Sequence, residues 1–255
     1  MESVDAKMIR ALEHLQTLGE ETTAFLKDTR DKTKMIMVAP PGATPCIRLW
    51  GGDHIPPIRL SVLVGDCIHN MRSALDNLVC GLVRTKDPSC ECEDTDFPIC
   101  TSETAWDKKV KRGSLTGVPP DAVEIIREVQ PWRNPGQPNP LVWLQNLNNR
   151  DKHRGCNFTL AYNRNIQFVV HTSRGPVFVP AGGKLYLGSV HDIPLPIDPR
   201  IIPLNPRVET TGTATLAFQG EEELEDIHGP EVLRQCFNHV EKNVISRLTI
   251  FFNRK

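Results

Sequence analysis

The chain has few aromatics, no dominant charge and no long apolar run. Tyr occurs twice and Trp four times in 255 residues, and aromatics together make up 6 %. The four Trp, at 50, 106, 132 and 143, are widely separated. A sheet that stacks single-stranded bases on successive rings is therefore not expected. Lys and Arg number 30 against 31 Asp and Glu, for a formal net charge of −1. That balance argues against a protein that coats nucleic acid electrostatically, although a local basic pocket stays possible. The most apolar stretches, such as 248–252, fall far short of the roughly 20 residues a membrane span needs. The charged N-terminus lacks the apolar core of a secretory signal. The expectation is a cytoplasmic protein with no membrane partner. Several catalytic marks are also missing. There is no Gly-x-Ser-x-Gly elbow and no His-Glu-x-x-His pair. Ala181-Gly182-Gly183-Lys184 lacks the spacing of a phosphate loop. No cofactor is expected.

What is present is enough for a packed core: 39 % apolar and 24 % charged residues. Eight Cys stand at positions 46, 67, 80, 90, 92, 100, 156 and 236. A chain with this much core does not need disulfide staples, so reduced thiols are expected. Cys67 and Cys80 fall in an apolar helical pattern, where a thiol acts as a small hydrophobe. Cys90, Cys92 and Cys100 form the sole cluster in sequence. Cys-x-Cys with a third Cys eight residues on is a poor match to paired zinc spacing, so a loop with incidental cysteines is expected and no metal.

Apolar residues at Val4, Met8, Ala11, Leu12, Leu15, Leu18 and Phe25 predict a helix over 4–27. Strands follow at 35–38 and 46–50, with an Ala-Pro-Pro-Gly turn between them. Residues 58–84 carry the strongest helical pattern, with Pro57 at its start and Asp87-Pro88 at its end. Short helices are expected over 105–111, after Pro119-Pro120, and over 141–149, with a proline-rich connection at 130–140. After residue 155 the texture changes. Runs at 158–162, 166–171, 177–179, 184–190 and 211–218 are β-branched or aromatic and separated by Gly, Asn and Pro, the pattern of an antiparallel sheet. An acidic turn is expected at 221–226, and helix returns over 230–252. The fold class is α+β. It reads as one domain, with a helical part of about 1–150 plus 230–253 and a β-rich part of about 155–220. The first and last helices are expected to pack on the helix at 58–84.

Stepping 100° per residue along 58–84 separates two arcs. Leu63, Val64, Cys67, Ile68, Met71, Ala74, Leu75, Leu78, Val79 and Leu82 fall on one. Asp66, His69, Asn70, Arg72, Ser73, Asp76 and Asn77 fall on the other. From Ser61 to Cys80 there is no Lys and no Glu, the residues a solvent-facing helix normally uses. Asp, Asn and Ser are mediocre helix formers, so their presence mid-helix points to hydrogen bonds made elsewhere. The arc is read as a buried or half-buried polar seam, the plainer alternative being a solvated face. Arg72 and Asp76 can pair at i,i+4, and Asp66 can orient His69 at i,i+3.

A second polar cluster, Asn146, Asn148, Asn149, Arg150, Asp151, Lys152, His153 and Arg154, is expected to follow the short helix at 141–149. Helix capping explains part of it. An anion site with a titratable base beside it is the other reading.

Val64-Gly65-Asp66-x-x-His69-Asn70-x-Arg72-Ser73-Ala74-Leu75-Asp76-x-Leu78, then Phe97-Pro98, then Leu147-Asn148-Asn149-x-Asp151-Lys152-His153-Arg154, resembles a family of uncharacterised bacterial proteins frequent in actinobacteria. The likeness covers about residues 58–160 and implies no known activity. A weaker likeness is to HEPN domains, helical bundles many of which are metal-independent ribonucleases marked by Arg, four to six residues, then His on one helix. Arg72 matches the Arg. Position 77 holds Asn where that pattern would place His.

Two functions compete. In one, the motifs lock the fold, with Arg72, Asp76, Asp151 and His153 tying the helical part to the segment that follows. The chain then serves a protein-binding or regulatory role, through a protein partner or self-association. In the other, the chain acts on RNA, a nucleotide or another phosphodiester. Arg72 with Lys152 or Arg154 would bind phosphate, His153 or His69 would move the proton, and Asp76 and Asp151 would orient them.

Overall fold

A computed structural model describes residues 1–32, 34–38, 44–50, 55–156, 158–162, 167–180, 185–186, 191–203, 207–210, 214–218, 224 and 227–252. The expected turns at 39–42 and 181–184, and the acidic segment 221–226 apart from Leu224, lie outside them. So does the side chain of Arg154. The chain forms two compact units: Met1–Gly19, Ser61–Cys156 and Pro230–Lys255 make one, and Glu20–Leu60 with Asn157–Gly229 the other.

The first unit is helical. Helix α1 (Glu2–Lys32) starts in it, burying Val4, Met8, Ala11, Leu15 and Leu18 at spacings of three and four. The helix is longer than expected at both ends. Leu12 remains 39 % exposed, because the buried stripe runs through its neighbours Ala11 and Leu15. Helix α2 (Ile58–Arg84) has the expected bounds, and every residue of its predicted apolar arc is buried. Two shorter helices follow, α3 (Glu103–Lys111) and α4 (Pro120–Glu128). Ser102 caps α3 by accepting from the Ala105 N–H at 3.2 Å. Pro120 opens α4, where a missing N–H costs nothing.

Helix α5 (Pro140–Arg154) corrects the sequence expectation. The polar cluster lies on its last turns instead of following it, and Gly155, at φ +71°, ends it. The closing segment begins as α6 (Gly229–His239) and widens into a π-helical stretch, Val240–Ile245, before its last turns. Both terminal segments do meet α2. The Cys67 thiol donates to Ala11 O at 3.5 Å, and Asn77 Nδ2 donates to Ser3 Oγ at 2.7 Å. A Cβ on Gly81 would stand 2.9 Å from the Phe252 ring, so the glycine lets that ring approach.

The second unit holds three antiparallel three-stranded sheets among the described residues. In chain order the strands are β1 (Lys34–Val38), β2 (Cys46–Trp50), β3 (Phe158–Tyr162), β4 (Gln167–Thr172), β5 (Gly175–Pro180), β6 (Leu185–Tyr186), β7 (His191–Pro194), β8 (Val208–Thr210) and β9 (Ala214–Phe218). The sheets run β1-β2-β7, β6-β3-β9 and β5-β4-β8. Strands β7 and β8 were not legible, being short and polar. Ile47, Phe168, Val170, Val179, Ile193, Leu195 and Ile197 form the unit's core. The α+β class is as expected.

Candidate functional site

Residues 95–100 are neither helix nor strand, yet Phe97 is fully buried and Cys100 nearly so. A buried segment that joins no helix or sheet must find partners for its peptide groups elsewhere; the Asp96 N–H donates to Ser114 O at 3.2 Å, and side chains serve the groups from Phe97 on. Two sets of side chains do this. Arg72 Nη2 donates to Phe97 O at 2.6 Å and to Asp76 Oδ1 at 2.9 Å, and the same Oδ1 accepts from the Phe97 N–H at 2.9 Å. Arg72, Asp76 and one peptide thus close a ring of three hydrogen bonds. One turn of α2 sets the two side chains side by side, which is why Arg and Asp stand four apart.

Gln130, fully buried two residues past the end of α4, holds the next groups. Its Oε1 accepts from the Cys100 N–H at 2.9 Å. Its Nε2 donates to Pro98 O at 2.8 Å and to Ile126 O at 3.0 Å. Nothing in the sequence around Gln130 marks it, because the Cys100 and Pro98 groups it serves are 30 and 32 positions away.

The Arg72 side chain is 13 % exposed and that of Asp76 37 %. Burial raises the Asp76 carboxyl above its ordinary range, against the opposing pull of Arg72 and the Phe97 N–H. Asp96 sits 3.8 Å from Arg72 and 2.6 Å from Lys109 Nζ. Burial works to raise it too, but hydrogen bonds from Lys109 and Ser114 outweigh that and hold it low. Arg72 Nη1 is buried and makes no hydrogen bond among the described residues.

The remaining candidates divide. Asn70 is buried and turns back on its own helix, Nδ2 to Asp66 O at 2.8 Å. Asp66 and His69 are exposed, and His69 Nε2 stands 3.5 Å from Ser73 Oγ. The predicted seam is therefore buried around Arg72 and open around His69. Asp151 is brought directly onto α2. A Cβ on Gly65 would lie 2.8 Å from Asp151 Oδ2, so a larger residue would force the carboxylate to move from where it sits on α2. Lys152 is near enough to Asp76 to favour its ionised form. Lys152 and His153 are themselves exposed. The two motifs converge through Gly65 with Asp151 and Asp76 with Lys152, while His153 takes no part in the ring around Phe97.

Cys80 and Cys92 form a disulfide, with Cα atoms 5.5 Å apart, against the expectation of reduced thiols throughout. Cys80 is half-buried near the end of α2, and the turn at Cys92, φ +61°, brings the loop back over it. Cys46, Cys67, Cys90, Cys100, Cys156 and Cys236 take no part in a disulfide. Burial pushes the Cys67 thiol up to about 12, leaving it inert. Among the described residues no group of three or more His, Cys, Asp or Glu is placed to hold a metal ion. No helix among them is long and apolar enough to cross a membrane.

No family model matches this chain, and neither a curated protein nor a solved structure does.

Proposed function

We propose that the paired motifs act as a structural clamp and that the chain has a protein-binding or regulatory role. The observation that carries this reading is the engagement of Arg72. Its Nη2 bonds both Asp76 and the Phe97 carbonyl, beneath 13 % side-chain exposure. An arginine held in this way positions backbone and is poorly free to clamp a phosphate. Ile9 and Leu12, three apart on α1 and 60 % and 39 % exposed, offer an apolar strip of the kind protein contacts use.

A metal-independent ribonuclease is the second reading. The exposed His69 and His153 and the unpartnered Arg72 Nη1 favour it. An RNA-cleavage assay in EDTA, run on wild type, Arg72→Ala and His153→Ala with a thermal melt of each, separates the two. The clamp reading expects no cleavage, a large fall in melting temperature for Arg72→Ala and none for His153→Ala. Cleavage by wild type that is lost in both variants while they stay folded would replace it with the nuclease.

A further inference from the structure

A cavity of about 320 Å³ opens beside the last turns of α2, away from the Phe97 ring. That volume suits a small molecule. Its lining includes Cys80, one half of the disulfide, together with Asn77, Gly81, Arg84 and Phe252. Arg84 is held by its Nε, which donates to Cys90 O at 3.0 Å. Its two terminal nitrogens make no hydrogen bond to any described residue. The Phe252 ring, admitted by Gly81, supplies an apolar wall. The cavity thus joins a cation anchored through its Nε, with its terminal nitrogens open, to an apolar surface and to a half-buried residue of the disulfide.

We infer that this cavity is a thiol–disulfide exchange site for a low-molecular-weight thiol that carries a carboxylate. Arg84 binds the carboxylate by charge-assisted hydrogen bonds. The bound thiolate attacks the Cys80 sulfur. A bond forms between the ligand sulfur and Cys80, the Cys80–Cys92 bond breaks, and Cys92 leaves as a thiolate that takes a proton from water. A second thiolate then attacks the ligand sulfur of this mixed disulfide, releasing Cys80 as a thiolate and the ligand as its own disulfide. Two thiols are oxidised and one protein disulfide is reduced. The reverse sequence, fed by the oxidised ligand, restores the cross-link. Opening frees Cys92 from its left-handed conformation, which L residues other than Asn and Asp seldom hold.

The test uses the oxidised full chain, with glutathione as the anionic thiol and 2-mercaptoethanol as the neutral one at equal thiolate concentration. Alkylation and peptide mass mapping follow the loss of the Cys80–Cys92 link. Glutathione is expected to act about tenfold faster, the scale of gain a charged cleft gives to a steered ligand. Arg84→Ala should remove that advantage and leave the 2-mercaptoethanol rate unchanged. As a second measurement, Cys92→Ser treated with oxidised glutathione should acquire glutathione on Cys80, more slowly when Arg84→Ala is added. Equal rates for the two thiols in wild type would overturn the proposal. So would equal slowing of both by Arg84→Ala, failure of Cys92→Ser to take up glutathione at Cys80, or an oxidised protein without the Cys80–Cys92 link.

Discussion

In the middle of α2, Arg72 and Asp76 give their hydrogen bonds to the Phe97 peptide, Arg72 with little surface left and Asp76 half-buried. On the last turn of α5, Lys152 and His153 stand exposed, although they belong to an equally polar run. The residue types are similar and the surroundings are not. A buried charge that loses its partner leaves an uncompensated group in a poorly hydrated place, whereas an exposed one returns to water. The difference teaches that one polar run can hold both side chains that satisfy a buried peptide and side chains that face solvent.

The contrast can be broken most severely at Gln130. Gln130→Ala orphans the Cys100 N–H and the Pro98 carbonyl in a buried place and is expected to cost about 3 kcal/mol or more in urea denaturation. Arg72→Ala follows at about 2–3 kcal/mol, below the usual figure for a broken buried pair because Asp76 keeps 37 % of its surface. Under the same conditions Lys152→Ala and His153→Ala should each stay within about 0.5 kcal/mol of wild type. A comparable loss at His153 would erase the distinction.

Gly65→Ala sharpens it where the motifs touch. The added methyl meets the Asp151 carboxylate at 2.8 Å and should cost about 1–2 kcal/mol. Pairing it with Asp151→Ala should recover most of that loss, a coupling that a double-mutant cycle measures.

The smallest effect lies outside both regions, at His239. Burial lowers its folded pKa below the ordinary 6.5, and its Nε2 is buried without a hydrogen-bond partner among the described residues. The unfolded chain therefore takes the proton more readily. The stabilising contribution is complete above pH 6.5 and declines as pH falls from there toward the folded value. His239→Gln should flatten that part of the stability–pH curve while leaving the Arg72 effect in place.

Much of this was legible in local pattern. Pro57 and Asp87-Pro88 bracketed α2, and its 3.6-residue period sorted the buried from the polar arc without error on the apolar side. The polar arc reads as one seam because composition is shared by all its members. What divides Arg72 from His69 is a peptide 25 positions away, and no local pattern carries that. The end of α5 escapes local pattern for a similar reason. Asn149 is a plausible left-handed cap in sequence, but the helix runs five residues further, to Arg154, and is capped by Gly155, whose φ of +71° needs no Cβ accommodated. The disulfide escaped notice because compartment and core size bear on cysteines in general. Which pair meets is settled by the turn at Cys92.

Hydrogen exchange at the Phe97 amide tests the central claim most directly. If Asp76 and Arg72 clamp that peptide, the Phe97 amide exchanges slowly in wild type and speeds up in Asp76→Ala, while amides in the middle of α2 keep their protection. A Phe97 amide that already exchanges in wild type as fast as those of the exposed loop at 87–91 would contradict it.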